Sequence, residues 1–201
     1  MKKPGNKVAV VCGDDTQALQ TNPDNKNSNI SNFQNNKNMN NQDFTTTILV
    51  DQSAEKVFNA INNVRGWWSE NIKGSTKKLN DEFLYHYKDV HTCKIRLTEV
   101  IPNEKVVWLV LDNYFSFTND KSEWKGTKII FEIAEKDGKT QLRFTHQGLV
   151  PQYECYNVCN DAWTGYIRNS LRNLITTGKG EPNTKEHDEF NAGLVEKWQL
   201  Q

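Results

Sequence analysis

His146 holds the position with the most chemical potential in this chain. Leu142, Phe144 and His146 recur at every second residue, so the imidazole lies on the inner face at the end of a strand. An inward imidazole there can orient a ligand or act as a general base near neutral pH. A core histidine hydrogen-bonded to backbone or to a tyrosine produces the same pattern, and no nucleophile or inward carboxylate is spaced to pair with it. His86 and His91 fall on outer or loop positions and are read as solvated. Cys155 and Cys159, four apart, share one face of a helix and offer two thiolates, but a metal site needs more ligands than these. They are read as free buried thiols, and no metal is expected.

The second chemical signal is aromatic. Trp67, Trp68, Tyr85, Tyr87, Trp108 and Trp163 sit where inner faces are expected, and each pairs an apolar body with a polar handle suited to a pocket wall. Phe115, Phe117 and Trp124 lie in the connection from Asp112 to Gly126, a fifteen-residue stretch of the kind that serves as a lid or binding loop. Phe144, His146 and Ile167 complete the candidate cavity. Plain core packing is the competing reading, and both stand at this stage. There is no phosphate loop, no Gly-rich dinucleotide turn and no serine nucleophile elbow. No catalytic residue and no cofactor are therefore assigned.

The elements that must position these residues begin after a tail. Ten of the twenty residues from Asn22 to Asn41 are Asn, a composition that cannot offset the entropy of ordering, so residues 1–42 are expected to be disordered. Lys7 to Cys12 could form a short strand without a nearby partner. From Phe44 to Val50 the alternation is that of a strand. Ser53 then caps a short helix whose stripe is Ala54, Val57, Phe58 and Ile61, with Glu55 in the first turn. Val64 to Trp68 reads as a second short helical turn closed by Gly74. Strands follow around Phe83–Tyr87, Cys93–Leu97, Val106–Leu111, Thr127–Ile133 and Leu142–His146, with Asp137-Gly138 as a tight hairpin. Their connections are too short for crossover helices, so the sheet is antiparallel. Tyr156, Cys159, Trp163, Ile167, Ser170, Leu171 and Leu174 then mark one long helix ended by Gly178, which must lie across the concave face of the sheet.

This order predicts an α+β helix-grip fold: a six-stranded antiparallel curved sheet wrapped around a long C-terminal helix, with two short helices after strand one. Val50 to Ile61 resembles the opening of the START-like (SRPBCC) superfamily. Trp67-Trp68, Val100-Ile101-Pro102, Val106-Val107-Trp108, Thr127 to Ile133 and Thr145 to Leu149 resemble the C-terminal-type domain of activators of heat-shock protein 90 ATPase, the AHSA-like domains. The resemblance covers about residues 43–178 and implies a cavity between sheet and long helix that takes apolar ligands. The separate N-terminal part of such activators, with its Asn-x-Trp-His-Trp type motif, has no counterpart in these residues.

Composition narrows the partners. With 25 Lys plus Arg against 25 Asp plus Glu, there is no net field to hold a polyanion, so no nucleic acid is expected. The early apolar run Val8 to Cys12 is too short for a signal-peptide core or a membrane span, so the chain is read as cytoplasmic with no membrane partner. In the segment 179–201, Phe190, Leu194 and Trp198 would form one stripe if helical, for docking on the domain or binding a protein. The reading is a non-catalytic domain that binds a small hydrophobic ligand or a partner protein. A cyclase- or hydrolase-type enzyme in the same cavity, or a co-chaperone-like ATPase activator, is the alternative.

Overall fold

The computed structural model describes residues 42–184. The expectations for residues 1–41, and the stripe of Phe190, Leu194 and Trp198, lie outside the described residues.

Strand β1 (Phe44–Val50) leads to helix α1 (Ala54–Asn62), where the Ser53 side chain accepts the Lys56 amide as its cap. The second expected helix is a single 3-10 turn, Val64–Gly66. The chain then extends into β2 (Ile72–Gly74), which pairs with β3 (Glu82–Tyr87). The sheet accordingly has seven strands where six were expected. Three residues flanked by polar loop carry too little alternation to announce a strand, and pairing with β3 is what makes β2 one.

Next come β4 (His91–Ile101), β5 (Lys105–Phe115), β6 (Lys128–Lys136) and β7 (Lys139–Gln147). The spatial order is β1-β7-β6-β5-β4-β3-β2, and every pairing is antiparallel. Asp137 and Gly138 both adopt positive φ, as a two-residue hairpin with the twist of its strands requires. Register shifts between β4 and β5 near Lys94 and near Leu97 mark bulges, which bend long strands and so help the sheet curl.

One of these bulges corrects the connection read as Asp112–Gly126. Val106, Trp108 and Val110 are buried, and then the parity changes to Asn113 and Phe115. Residues 112–115 therefore belong to β5, and the loop starts only after Phe115. A change of parity breaks the alternation by which a strand is recognised, which is why this end of β5 looked like loop.

The concave face holds one unbroken C-terminal helix made of α2 (Tyr156–Gly165), a π segment (Tyr166–Leu171) and α3 (Arg172–Thr177), closed by Gly178 in the left-handed conformation. Its deepest residues, Trp163, Ile167, Leu171 and Ile175, repeat every four. In an α-helix each such step overshoots a turn by about 40°. The wider π segment absorbs that drift and keeps the stripe on the sheet. Leu174, expected in the stripe, gives way to Ile175 for this reason.

Candidate functional site

Between the sheet and the helix lies a cavity of about 140 Å³. Tyr85 and Tyr87 reach it from β3, His91 from the start of β4 and Phe115 from the end of β5. Val158, Cys159, Ala162 and Trp163 of α2 cover it, with Tyr166 just beyond. Trp68, Val90, Phe117 and Trp124 complete the wall. Tyr87, Phe117 and Val158 are exposed at its rim.

The loop after β5 is tied to the start of α2 by two carboxylates. Glu123, itself buried, accepts the amides of Glu154 (2.6 Å) and Cys155 (2.9 Å), the two residues that lead into α2, and places its carboxylate at the helix N-terminus. In return Glu154 accepts the Asn119 amide at 2.8 Å and its side-chain NH₂ at 3.0 Å. The Trp124 amide donates to Asn113 Oδ1 at 3.0 Å. These bonds hold Phe117 and Trp124 against the cavity.

The inner wall is anchored from the other side. Asn183 Nδ2 donates to Tyr166 Oη (2.7 Å) and Tyr85 Oη (3.4 Å), and the Asn183 amide donates to Trp68 O at 3.0 Å. The residues after α3 thus return to the back of the cavity.

No Lys, Arg, Asp or Glu lines the site. Burial, helped by the nearby His146 and His86, lowers the His91 pKa from 6.5 to about 3, so the ring is neutral near pH 7. Burial also pushes the Tyr85 hydroxyl well above its ordinary value, with Tyr166 adding to the effect, and raises Tyr166. The Cys155 thiol behind the wall is raised by its hydrogen bond with Cys159 and by burial. The wall is therefore uncharged. His91 Nε2 and Trp124 Nε1 have no hydrogen-bond partner among the described residues.

His146 does not line this cavity. It is fully buried, accepts Trp163 Nε1–H at Nδ1 (3.0 Å) and lies 2.9 Å from Thr127 Oγ1 through Nε2. Because Nδ1 must accept from the indole, the ring proton resides on Nε2 and is donated to Thr127, whose own hydroxyl donates to Trp124 O at 2.6 Å. Burial lowers its pKa to about 3. Both ring nitrogens are used inside the core, leaving neither for a substrate.

Of the other expected cavity residues, Trp68, Tyr85, Tyr87, Phe115, Phe117, Trp124 and Trp163 come together on the wall. Trp67, Trp108, Phe144 and Ile167 are fully buried elsewhere in the core. Trp67 and Trp108 stack at 6.3 Å, and Phe144 packs 4.8 Å from Trp163. The reading of His86 and His91 as solvated is corrected, since they are only 4% and 9% exposed. For His91 the signal was present: Cys93, Ile95 and Leu97 share its parity, so extending the inner face two residues back places its ring inside. Tyr166 and Glu123 were also missed. A buried carboxylate that caps a helix thirty residues away leaves no local trace.

An antiparallel sheet that grips a long C-terminal helix over an apolar cavity defines the START-like, or SRPBCC, class. The chain belongs to the family of activator of Hsp90 ATPase homolog 1-like proteins, whose model matches residues 51–176. No curated protein matches it in sequence. Its fold is similar to the solution structure of the Aha1 dimer from Colwellia psychrerythraea (TM-score 0.56, 23% identity, 69% of this chain and 99% of that one). It is also similar to DynU16, a protein of the dynemicin biosynthetic locus (TM-score 0.51, 13% identity, 69% and 48%). A third likeness is to MLL2253 from Mesorhizobium loti (TM-score 0.51, 14% identity, 63% and 92%). At these identities the likeness is one of fold. Among the described residues no helix is long and apolar enough to cross a membrane.

Proposed function

We propose that this domain binds a small hydrophobic molecule in the cavity under α2 and does not transform it. The observation that carries the reading is the wall itself: it is aromatic, partly enclosed and free of carboxylates and cationic side chains. Acid–base chemistry needs a group that changes protonation near the working pH and lies within reach of the substrate. His91, on the wall, is held neutral, and both nitrogens of His146 are engaged within the core.

Two measurements test the reading. Native mass spectrometry of the purified protein is expected to detect a co-purifying small molecule, released on denaturation. Titration with a hydrophobic probe is expected to change tryptophan emission saturably, because Trp68, Trp124 and Trp163 all line the site. Turnover of an ester or ketone that is abolished by His91→Phe would replace this reading with that of an enzyme.

A further inference from the structure

Six buried side-chain polar atoms among the described residues lack a partner, and two of them belong to adjacent residues of one cavity wall. The rings of His91 and Trp124 lie 4.7 Å apart with their planes at 88°. Leaving a buried donor or acceptor unpaired costs about 1 to 3 kcal/mol, and folded proteins do it rarely. Two such atoms on a pair of touching rings at a cavity point to an occupant that completes their bonding. Both atoms are covered, so the occupant reaches them only when the rings turn.

Size and charge narrow the occupant. A volume of about 140 Å³ suits one six-membered ring, since an apolar cavity of ~150 Å³ accommodates benzene. With no charged side chain on the wall, a carboxylate or ammonium group would be stripped of water without a counter-charge. Trp124 Nε1 is only a donor, so the ligand must offer an acceptor there. A hydroxyl oxygen accepts from Trp124 and can still donate to, or accept from, His91 Nε2, whichever ring nitrogen carries the proton.

On the basis of the binding reading above, we propose that the ligand is an uncharged single-ring compound bearing one hydroxyl, of the phenol class, with its oxygen held between Trp124 Nε1 and His91 Nε2. Trp124 and His91 then set specificity, while the remaining aromatic wall supplies affinity. The environment that raises the Tyr85 hydroxyl's pKa also keeps such a ligand in its neutral form.

Calorimetric titration of the full chain with phenol, toluene, benzoate and tetramethylammonium tests this. Phenol is expected to bind one-to-one and at least as tightly as toluene, although water holds the hydroxyl more strongly. Benzoate and tetramethylammonium are expected to show no saturable heat. Trp124→Phe keeps the ring and removes the N–H, and it should lower the phenol-to-toluene affinity ratio about tenfold. His91→Phe should lower it several-fold. A ratio unchanged in both variants, or saturable binding of either ion, overturns the phenol assignment while leaving the cavity as a small-molecule site. Failure of every compound, together with no saturable response to the hydrophobic probe, sinks both readings.

Discussion

Two buried histidines pack against the same ring, Trp124, and the core uses them in opposite ways. His146 is locked between Trp163 and Thr127. His91 contacts Tyr85, Phe115 and Trp124 through its ring, and its Nε2 bonds to nothing among the described residues. Both pKa values are lowered to about 3, chiefly by burial. A shifted pKa therefore does not tell the two histidines apart. Their hydrogen bonding does: the completed network rigidifies the core, and the incomplete one lies beside a cavity.

The largest effect should come from removing the residue that the surroundings of both histidines share. Trp163 donates to His146, lies 4.8 Å from Phe144 and forms part of the cavity wall. Trp163→Ala is expected to cost about 3 to 5 kcal/mol in chemical denaturation, as large-to-small core changes do. A loss below about 1 kcal/mol would mean that α2 does not rest on the sheet as described.

Substituting the histidines separately should split the two roles. His146→Phe removes the acceptor of a buried indole N–H and should cost about 2 kcal/mol. His91→Phe removes an atom that had no partner and should stay within about 0.5 kcal/mol of the parent, or stabilise it. Equal losses in the two variants would erase the contrast.

Acidification should strike both histidines alike. Unfolded, each histidine titrates near 6.5; folded, near 3. The unfolded chain therefore binds more protons between those values, and stability present above pH 6.5 is lost as pH falls toward 3. From pH 7 to pH 5 the loss should be about 2 kcal/mol per histidine, and replacing either one should reduce it by that amount. Denaturation midpoints across this range check the prediction.

The smallest effect concerns the back of the cavity. Tyr85→Phe removes a hydroxyl that accepts from Asn183 at 3.4 Å and bonds to the Tyr166 hydroxyl, while Asn183 keeps its 2.7 Å bond to Tyr166. A loss of about 0.5 kcal/mol is expected. A loss above about 2 kcal/mol would show that the return of residues 179–184 depends on Tyr85.

Most of the frame was legible in the chain because its elements announce themselves locally. Alternation reveals a strand with one buried face, and a three-and-four repeat reveals a helix with one buried stripe. The Ser53 cap, the Asp137-Gly138 hairpin and the Gly178 stop each follow from a residue's own backbone or side-chain chemistry. What misled were places where the pattern changes phase: the bulged end of β5, the π segment that brings Ile175 inward, and the three residues of β2.

The sequence by itself determined that aromatic residues would crowd the inner face and that no charged cluster would accompany them, since periodicity and composition are properties of the chain. Which rings pack solidly and which leave a space was decided only by the tertiary structure. Trp67, Trp108 and Phe144 are as aromatic as Trp68, Tyr85 and Trp124, and all are buried. Wall and core separate through contacts between residues far apart in sequence: Glu123 capping α2, Asn183 returning to Tyr85 and Tyr166, and His146 occupied by Thr127 and Trp163. Such contacts follow from how elements pack against one another in space, and periodicity along the chain carries no record of them.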